Sequence, residues 1–255
     1  MEKANLALVD DLSVGDWIRE SLHPLVFFSD IPVTIGIVIP RGYESYVLVR
    51  HSGPGDRHGG LGDEILSRLV EILSKFTNTP DQCLHALWEG YGWMQDGSIG
   101  GILPSRHPKS NKFLRAIFQK SKLLRPIYGR IGMYATMRKI RSQVKSLGHA
   151  QSLTLPEGIM ASKRFELPNR NYLLMSGSIE EATKVGWNFV GSFQRQSPNL
   201  LWPIDRKWIL VTEIDFNVTL IGGSVELVKN IINSGQFTTQ IFNVTDAIDG
   251  LPVAE

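Results

Sequence analysis

The sequence predicts an α+β fold: a mostly antiparallel sheet flanked by helices, with an inserted basic helical hairpin. Three observations carry that expectation. Short β-branched runs recur between Gly and Pro punctuation, amphipathic helical periods begin at capping residues, and a long central span contains no acidic residue.

In chain order, Val33–Ile39 (VTIGIVI) and Ser45–His51 (SYVLVRH) read as a strand pair around the turn Pro40-Arg41-Gly42-Tyr43. The loop SGPGDRHGGLG leads into a helix over Asp63–Phe76, where Ile65, Leu66, Leu69, Ile72, Leu73 and Phe76 form one apolar stripe. Thr79-Pro80-Asp81-Gln82 has the order of a capping box with proline at the first helical position, and a strand follows over Leu84–Gly90. After a Gly/Pro/Ser-rich stretch, Phe113, Ile117 and Leu124 define one helical face, and Met133, Met137, Ile140, Val144 and Leu147 define a second. Pro126 and Gly129 separate the two. The second half resumes with the strands KRFELP and NYLLMSG and a helix opening at Ser178-Ile-Glu-Glu181. Strands are expected over Lys207–Asp215 and Val218–Ile221, then a helix VELVKNIIN capped by Ser224 and ended by Gly235, then a strand over Phe237–Val244. The domain organisation that follows is a first half (1–96), a basic insertion (97–156) and a second half of the same domain (157–255).

Composition bounds the function classes. With 255 residues, 42% of them apolar, the chain can bury a substantial core. One cysteine, Cys83, makes neither an intrachain disulfide nor a multi-cysteine zinc site. Asp10, Asp11 and Asp16 stand where a secretory leader needs a basic start and an apolar block. Ile31–Pro40, the longest apolar stretch, falls well short of the roughly 20 residues that span a bilayer. A cytoplasmic protein without a transmembrane segment is expected. The net charge of +2 conceals a strong asymmetry, because all 25 acids lie outside Gly97–Pro156. Twelve of the 27 basic residues fall inside it, which leaves fifteen bases against 25 acids elsewhere, a net −10.

Strand alternation places Trp208, Leu210, Thr212 and Ile214 on one face and Ile209, Val211, Glu213 and Asp215 on the other. Glu213 and Asp215 then point the same way, about 6–7 Å apart. Two such carboxylates either grip a divalent cation, with Asp205 as a third ligand, or finish the strand and pair with a base such as Arg206. The second arrangement is favoured, so neither a catalytic residue nor a resident metal is assigned. Trp88, Trp93, Trp202 and Trp208 line a ligand pocket or fill the core. Gly222-Gly223-Ser224 reads as a helix cap rather than an anion loop, since no phosphate-loop lysine accompanies it. His51 and His58 read as parts of a plain connection, and Cys83 with His85 as core. In the insertion, Arg115, Lys122, Arg138, Arg141 and Lys145 are candidate anion contacts. They suit an acidic protein surface first, nucleic-acid phosphate second and an anionic membrane third.

The strings Leu87-Trp-Glu-Gly-Tyr-Gly-Trp93, Trp202-Pro-Ile-Asp-Arg-Lys-Trp208, Thr212-Glu-Ile-Asp215 and Gly222-Gly-Ser224 resemble a family of uncharacterised bacterial cytosolic proteins. The similarity covers Pro24–Gln95 and Phe165–Asn233. No activity, cofactor or catalytic residue is assigned to that family, so the resemblance implies no site residue. Its members are shorter and variable where this chain carries the basic insertion. The function expected is a non-catalytic binding or regulatory module, of adaptor or immunity type, acting on another protein. The alternatives are a metal-dependent hydrolase of a phosphate-bearing substrate using Glu213 and Asp215, and nucleic-acid binding through 97–156.

Overall fold

The computed structural model describes residues 4–24, 33–51, 60–91, 152–168, 170–189, 192–248 and 251. The strands are β1 (Ala7–Leu8), β2 (Ser45–Arg50), β3 (Cys83–Trp88), β4 (Ser152–Leu153), β5 (Phe165–Leu167), β6 (Arg170–Gly177), β7 (Gly186–Phe189), β8 (Ser192–Arg195), β9 (Leu200–Pro203), β10 (Ile209–Thr212), β11 (Val218–Gly223) and β12 (Thr239–Ile241). The helices are α1 (Asp16–Ser21), α2 (Asp63–Leu73) and α3 (Val225–Asn233). The fold is α+β. Nine strands form one sheet in the order β1-β6-β3-β9-β10-β11-β2-β12, with β5 also on β6, and β4-β7-β8 form a second. Every pairing with a defined register is antiparallel. Both halves of the sequence contribute to the large sheet, since β3 pairs with β6 and β2 with β11.

Alternation along the central strands feeds two cores, one on each side of the sheet. Tyr46, Leu48, Leu84, Ala86, Leu174, Trp202, Ile209, Val211 and Leu220 face the first, which the N-terminal segment covers with Ile18, Leu22, Ile35 and Ile39. Val47, Val49, Leu201, Leu210 and Ile221 face the second, under Leu66, Leu69 and Leu73 of α2 and Leu227, Val228 and Ile231 of α3. Both helices turn an apolar stripe to the sheet, and burying each large side chain contributes about 1.5–3 kcal/mol. Among the described residues no helix is long and apolar enough to cross a membrane.

Several elements depart from the sequence expectation. Val33–Ile39 is not a strand: Ile35–Ile37 is a 3-10 turn whose N–H groups at 35 and 36 donate to the carbonyls of Asp246 and Val244. Gly36 lets it lie against His23, whose Nδ1 would be 2.5 Å from a Cβ there. The segment therefore covers the sheet instead of joining it. Thr79–Gln82 forms one turn and no helix, because the Thr79 hydroxyl accepts from the Asp205 N–H rather than capping. The element after Ser178 is the short 3-10 helix Ile179–Thr183. Its Glu181 does not close a capping box; it accepts the Asn5 N–H at 2.7 Å and Lys184 Nζ at 2.9 Å. Two strands are shorter than expected, the central β10 ending at Thr212 and the edge strand β12 spanning only Thr239–Ile241.

The chain divides into two compact units. The first holds the elements above, and the second, Gly90–Gln151 with Phe189–Gly191, lies almost wholly outside the described residues. The expected basic hairpin, with Trp93, Arg115, Lys122, Arg138, Arg141 and Lys145, falls outside them.

Candidate functional site

Antiparallel order brings the start of β6, the end of β3, the start of β9 and the end of β10 to one rim of the sheet. Arg170 opens β6 there. Its Nη2 donates to Glu213 Oε1 at 2.5 Å and to Asp215 Oδ2 at 2.6 Å, and its guanidinium carbon sits 5.3 Å from the centre of the Trp88 ring. A cation held between carboxylates and an aromatic face is fixed from two sides. Burial opposes the charge, but the Glu213 hydrogen bond and the charges of Glu213 and Asp215 override it and hold the Arg170 pKa above its ordinary value. The side chains of Arg170 and Glu213 are 18% and 12% exposed, whereas Asp215 is 70% exposed. Asp215 is thus the solvent-facing tip of an otherwise sheltered pair.

The strand ends where Glu213 begins to serve this cluster. Its Oε1 accepts the Ile214 N–H at 2.8 Å and its carbonyl accepts the Phe216 N–H, which turns the chain out of β10. Leaving the strand brings both carboxylates onto one guanidinium. A second ion pair lies alongside, where Glu89 accepts from Arg164 Nε at 2.7 Å and Asn171 Nδ2 at 3.0 Å. The Arg164 bond, then that of Asn171, lowers the Glu89 pKa. Arg164 also donates to the carbonyls of Ser162 and Met160, so its plane is fixed.

Beneath the rim runs a buried polar seam. Asn199 Oδ1 accepts the Trp88 N–H at 2.9 Å and its Nδ2 donates to the Thr212 carbonyl at 3.0 Å, joining β3 to β10. Thr212 and Thr219 share a hydroxyl contact of 2.8 Å, and Thr219 Oγ1 lies 2.9 Å from His51 Nε2. The Ser197 hydroxyl accepts the Leu61 N–H at 2.8 Å, which ties the segment entering α2 to the same seam. Buried groups that are mutually satisfied rigidify what they connect.

The structure scatters the remaining sequence candidates. Asp205 does not return beside Glu213 and Asp215: it lies before β10, where its carboxylate accepts from the Thr77 hydroxyl at 2.9 Å and the Asn78 N–H at 2.8 Å. Arg206 takes a left-handed conformation (φ 56°) in the following turn and stacks its guanidinium over Trp17, 5.4 Å from the ring centre. Trp202 and Trp208 are buried in opposite cores, so with Trp88 at the rim they do not line one pocket. Ser224 caps α3 through the Leu227 N–H, while Glu44 accepts the neighbouring Val225 N–H. Gly222 is required by packing, since a Cβ there would lie 2.7 Å from Tyr43 Cδ2. Burial pushes the Cys83 thiol up to about 12, and its sulfur donates toward the carbonyls of Pro80 and Thr79. His85 donates from Nε2 to the Ser178 carbonyl, and burial lowers its pKa to about 4. Both belong to the interior.

Sequence reasoning missed Arg170, Glu89, Arg164, Asn171 and the Asn199–Thr212–Thr219–His51 seam. The only available signal was the charged lead-in Arg164 to Asn171 before the apolar run of β6. Among the described residues no group of three or more His, Cys, Asp or Glu is placed to hold a metal ion. No family model, curated protein or solved structure matches the chain.

Proposed function

We propose that the chain is a non-catalytic binding module that recognises another protein through the strand-end rim. The observation that carries this reading is the triple engagement of Arg170, held by Glu213, Asp215 and the face of Trp88. Arginine and tryptophan dominate interface energetics when they are ordered before the partner arrives, because less side-chain entropy is then lost on association. Asp215 projects from the cluster into solvent and supplies a charge that sets the partner's complementarity. A divalent cation between Glu213 and Asp215, as the hydrolase reading requires, would have to displace the guanidinium and leave it uncompensated.

A photoreactive amino acid placed at position 215 in the cell of origin tests the proposal. A cross-linked species of discrete mass is expected from position 215, lost on Trp88→Ala, and absent when the probe stands at Glu71 on the solvent side of α2. Equal labelling from both positions, or none from 215, would remove the reading. The charge asymmetry favours nucleic acid as a second reading, with 97–156 supplying the cations. It requires affinity for a duplex oligonucleotide to fall by about 10³ or more between 50 and 200 mM salt, the behaviour of six or more phosphate contacts. A flat dependence eliminates it.

A further inference from the structure

The two edges of the large sheet are treated differently. On the side of β6, the Arg19 guanidinium occupies the Glu166 carbonyl of β5 through Nε at 3.0 Å and Nη2 at 2.9 Å. A charged side chain placed on an edge strand blocks further pairing. On the other side β12 ends the strand order, and among the described residues nothing pairs with its outer edge. Its register on β2 sets Thr239, Gln240 and Ile241 opposite Val49, Leu48 and Val47. The bonds from Arg50 N–H to the Thr238 carbonyl and from Phe242 N–H to the Tyr46 carbonyl fix which residues turn inward. By alternation Gln240 also faces β2, so the N–H and C=O groups of Thr239 and Ile241 point out from the sheet. Ile241 is 61% exposed, the most exposed large hydrophobic among the described residues.

The strand is short, which limits pairing, but it carries neither of the chemical deterrents, charge or proline. From Gln236 to Thr245 (QFTTQIFNVT) there is no charged residue and no proline. Two copies of this edge meet without like-charge repulsion along the strand, and they match. With Gln240 opposite Gln240 about a two-fold axis, Thr239 of each copy faces Ile241 of the other as a hydrogen-bonded pair. That register makes four main-chain hydrogen bonds. It also lays each exposed Ile241 side chain beside Thr239 of the second copy, on the face that α2 and α3 cover. We propose that β12 pairs antiparallel with β12 of a second copy, joining two sheets into one in a weak, reversible homodimer.

Sedimentation of the full chain from about 1 µM to about 500 µM, a range suited to small interfaces, tests this. The expected mass rises with concentration from 28.5 kDa toward twice that value. Ile241→Lys places a charge on the edge, and Thr239→Pro removes an outward N–H without touching a bond to β2. Each is expected to hold the protein monomeric, whereas Ile204→Lys, a control at another exposed apolar residue, dimerises as before. Hydrogen exchange on the unmodified protein gives a second readout that needs no variant. The Thr239 and Ile241 amides should exchange more slowly in the concentrated sample. A mass that stays at 28.5 kDa throughout, a dimer that survives both edge variants, or exchange at 239 and 241 indifferent to concentration would each overturn the proposal.

Discussion

Removing the Arg170 guanidinium would strand Glu213, whose side chain is 12% exposed, as a sheltered carboxylate with no counter-charge. Breaking such a pair from one side costs about 3 kcal/mol. Arg170→Ala is therefore expected to lower the unfolding free energy by that amount, while Asp215→Asn, at a position 70% exposed, changes it by less than about 1 kcal/mol. Urea titration of the two variants checks the contrast. His85 sets a second expectation at this scale. Its folded pKa of about 4 lies below the ordinary 6.5, because burial disfavours the charged ring. Between those values the unfolded chain binds a proton that the folded chain refuses. The contribution is complete above pH 6.5 and is lost as pH falls toward 4, by about 3 kcal/mol in total. His85→Gln should show a shallower loss of stability across that window, measured as denaturant midpoint against pH.

The elements most legible in the sequence are those whose periodicity and caps agree. α2 keeps its apolar stripe, α3 begins at Ser224 as expected, and β10 divides its residues between two cores as alternation requires. Val33–Ile39 misled because β-branched residues suit any half-buried extended surface, and nothing local reveals that His23 lies over Gly36. The rim was half legible. Glu213 and Asp215 stand out as paired carboxylates, but their counter-ion comes from 45 residues away in sequence, through a strand order that no local pattern encodes. Packing of β11 makes its own demand. A Cβ at Gly222 would lie 2.7 Å from Tyr43 and 2.9 Å from Tyr46, and the Tyr46 hydroxyl is pinned between the Tyr43 N–H and the Pro40 carbonyl. With so little freedom in that ring, Gly222→Ala should cost about 1–3 kcal/mol, and thermal unfolding would register it as a lower Tm.

Taken as a whole, the molecule pairs a sheet-centred unit with a segment whose charge is of the opposite sign. The twelve bases of 97–156 have no acid among them, while the rest of the chain carries a net −10. Charge separation of this kind governs which partners approach, and on the proposed reading the rim selects among them. The rim can do that only if Glu213 and Asp215 hold an arginine in place rather than an ion. Manganese binding followed by electron paramagnetic resonance, on the unmodified chain and on Glu213→Gln, tests this most directly. The account predicts that the two proteins leave the same fraction of manganese free. Tight, stoichiometric binding by the unmodified chain that disappears in Glu213→Gln would contradict it.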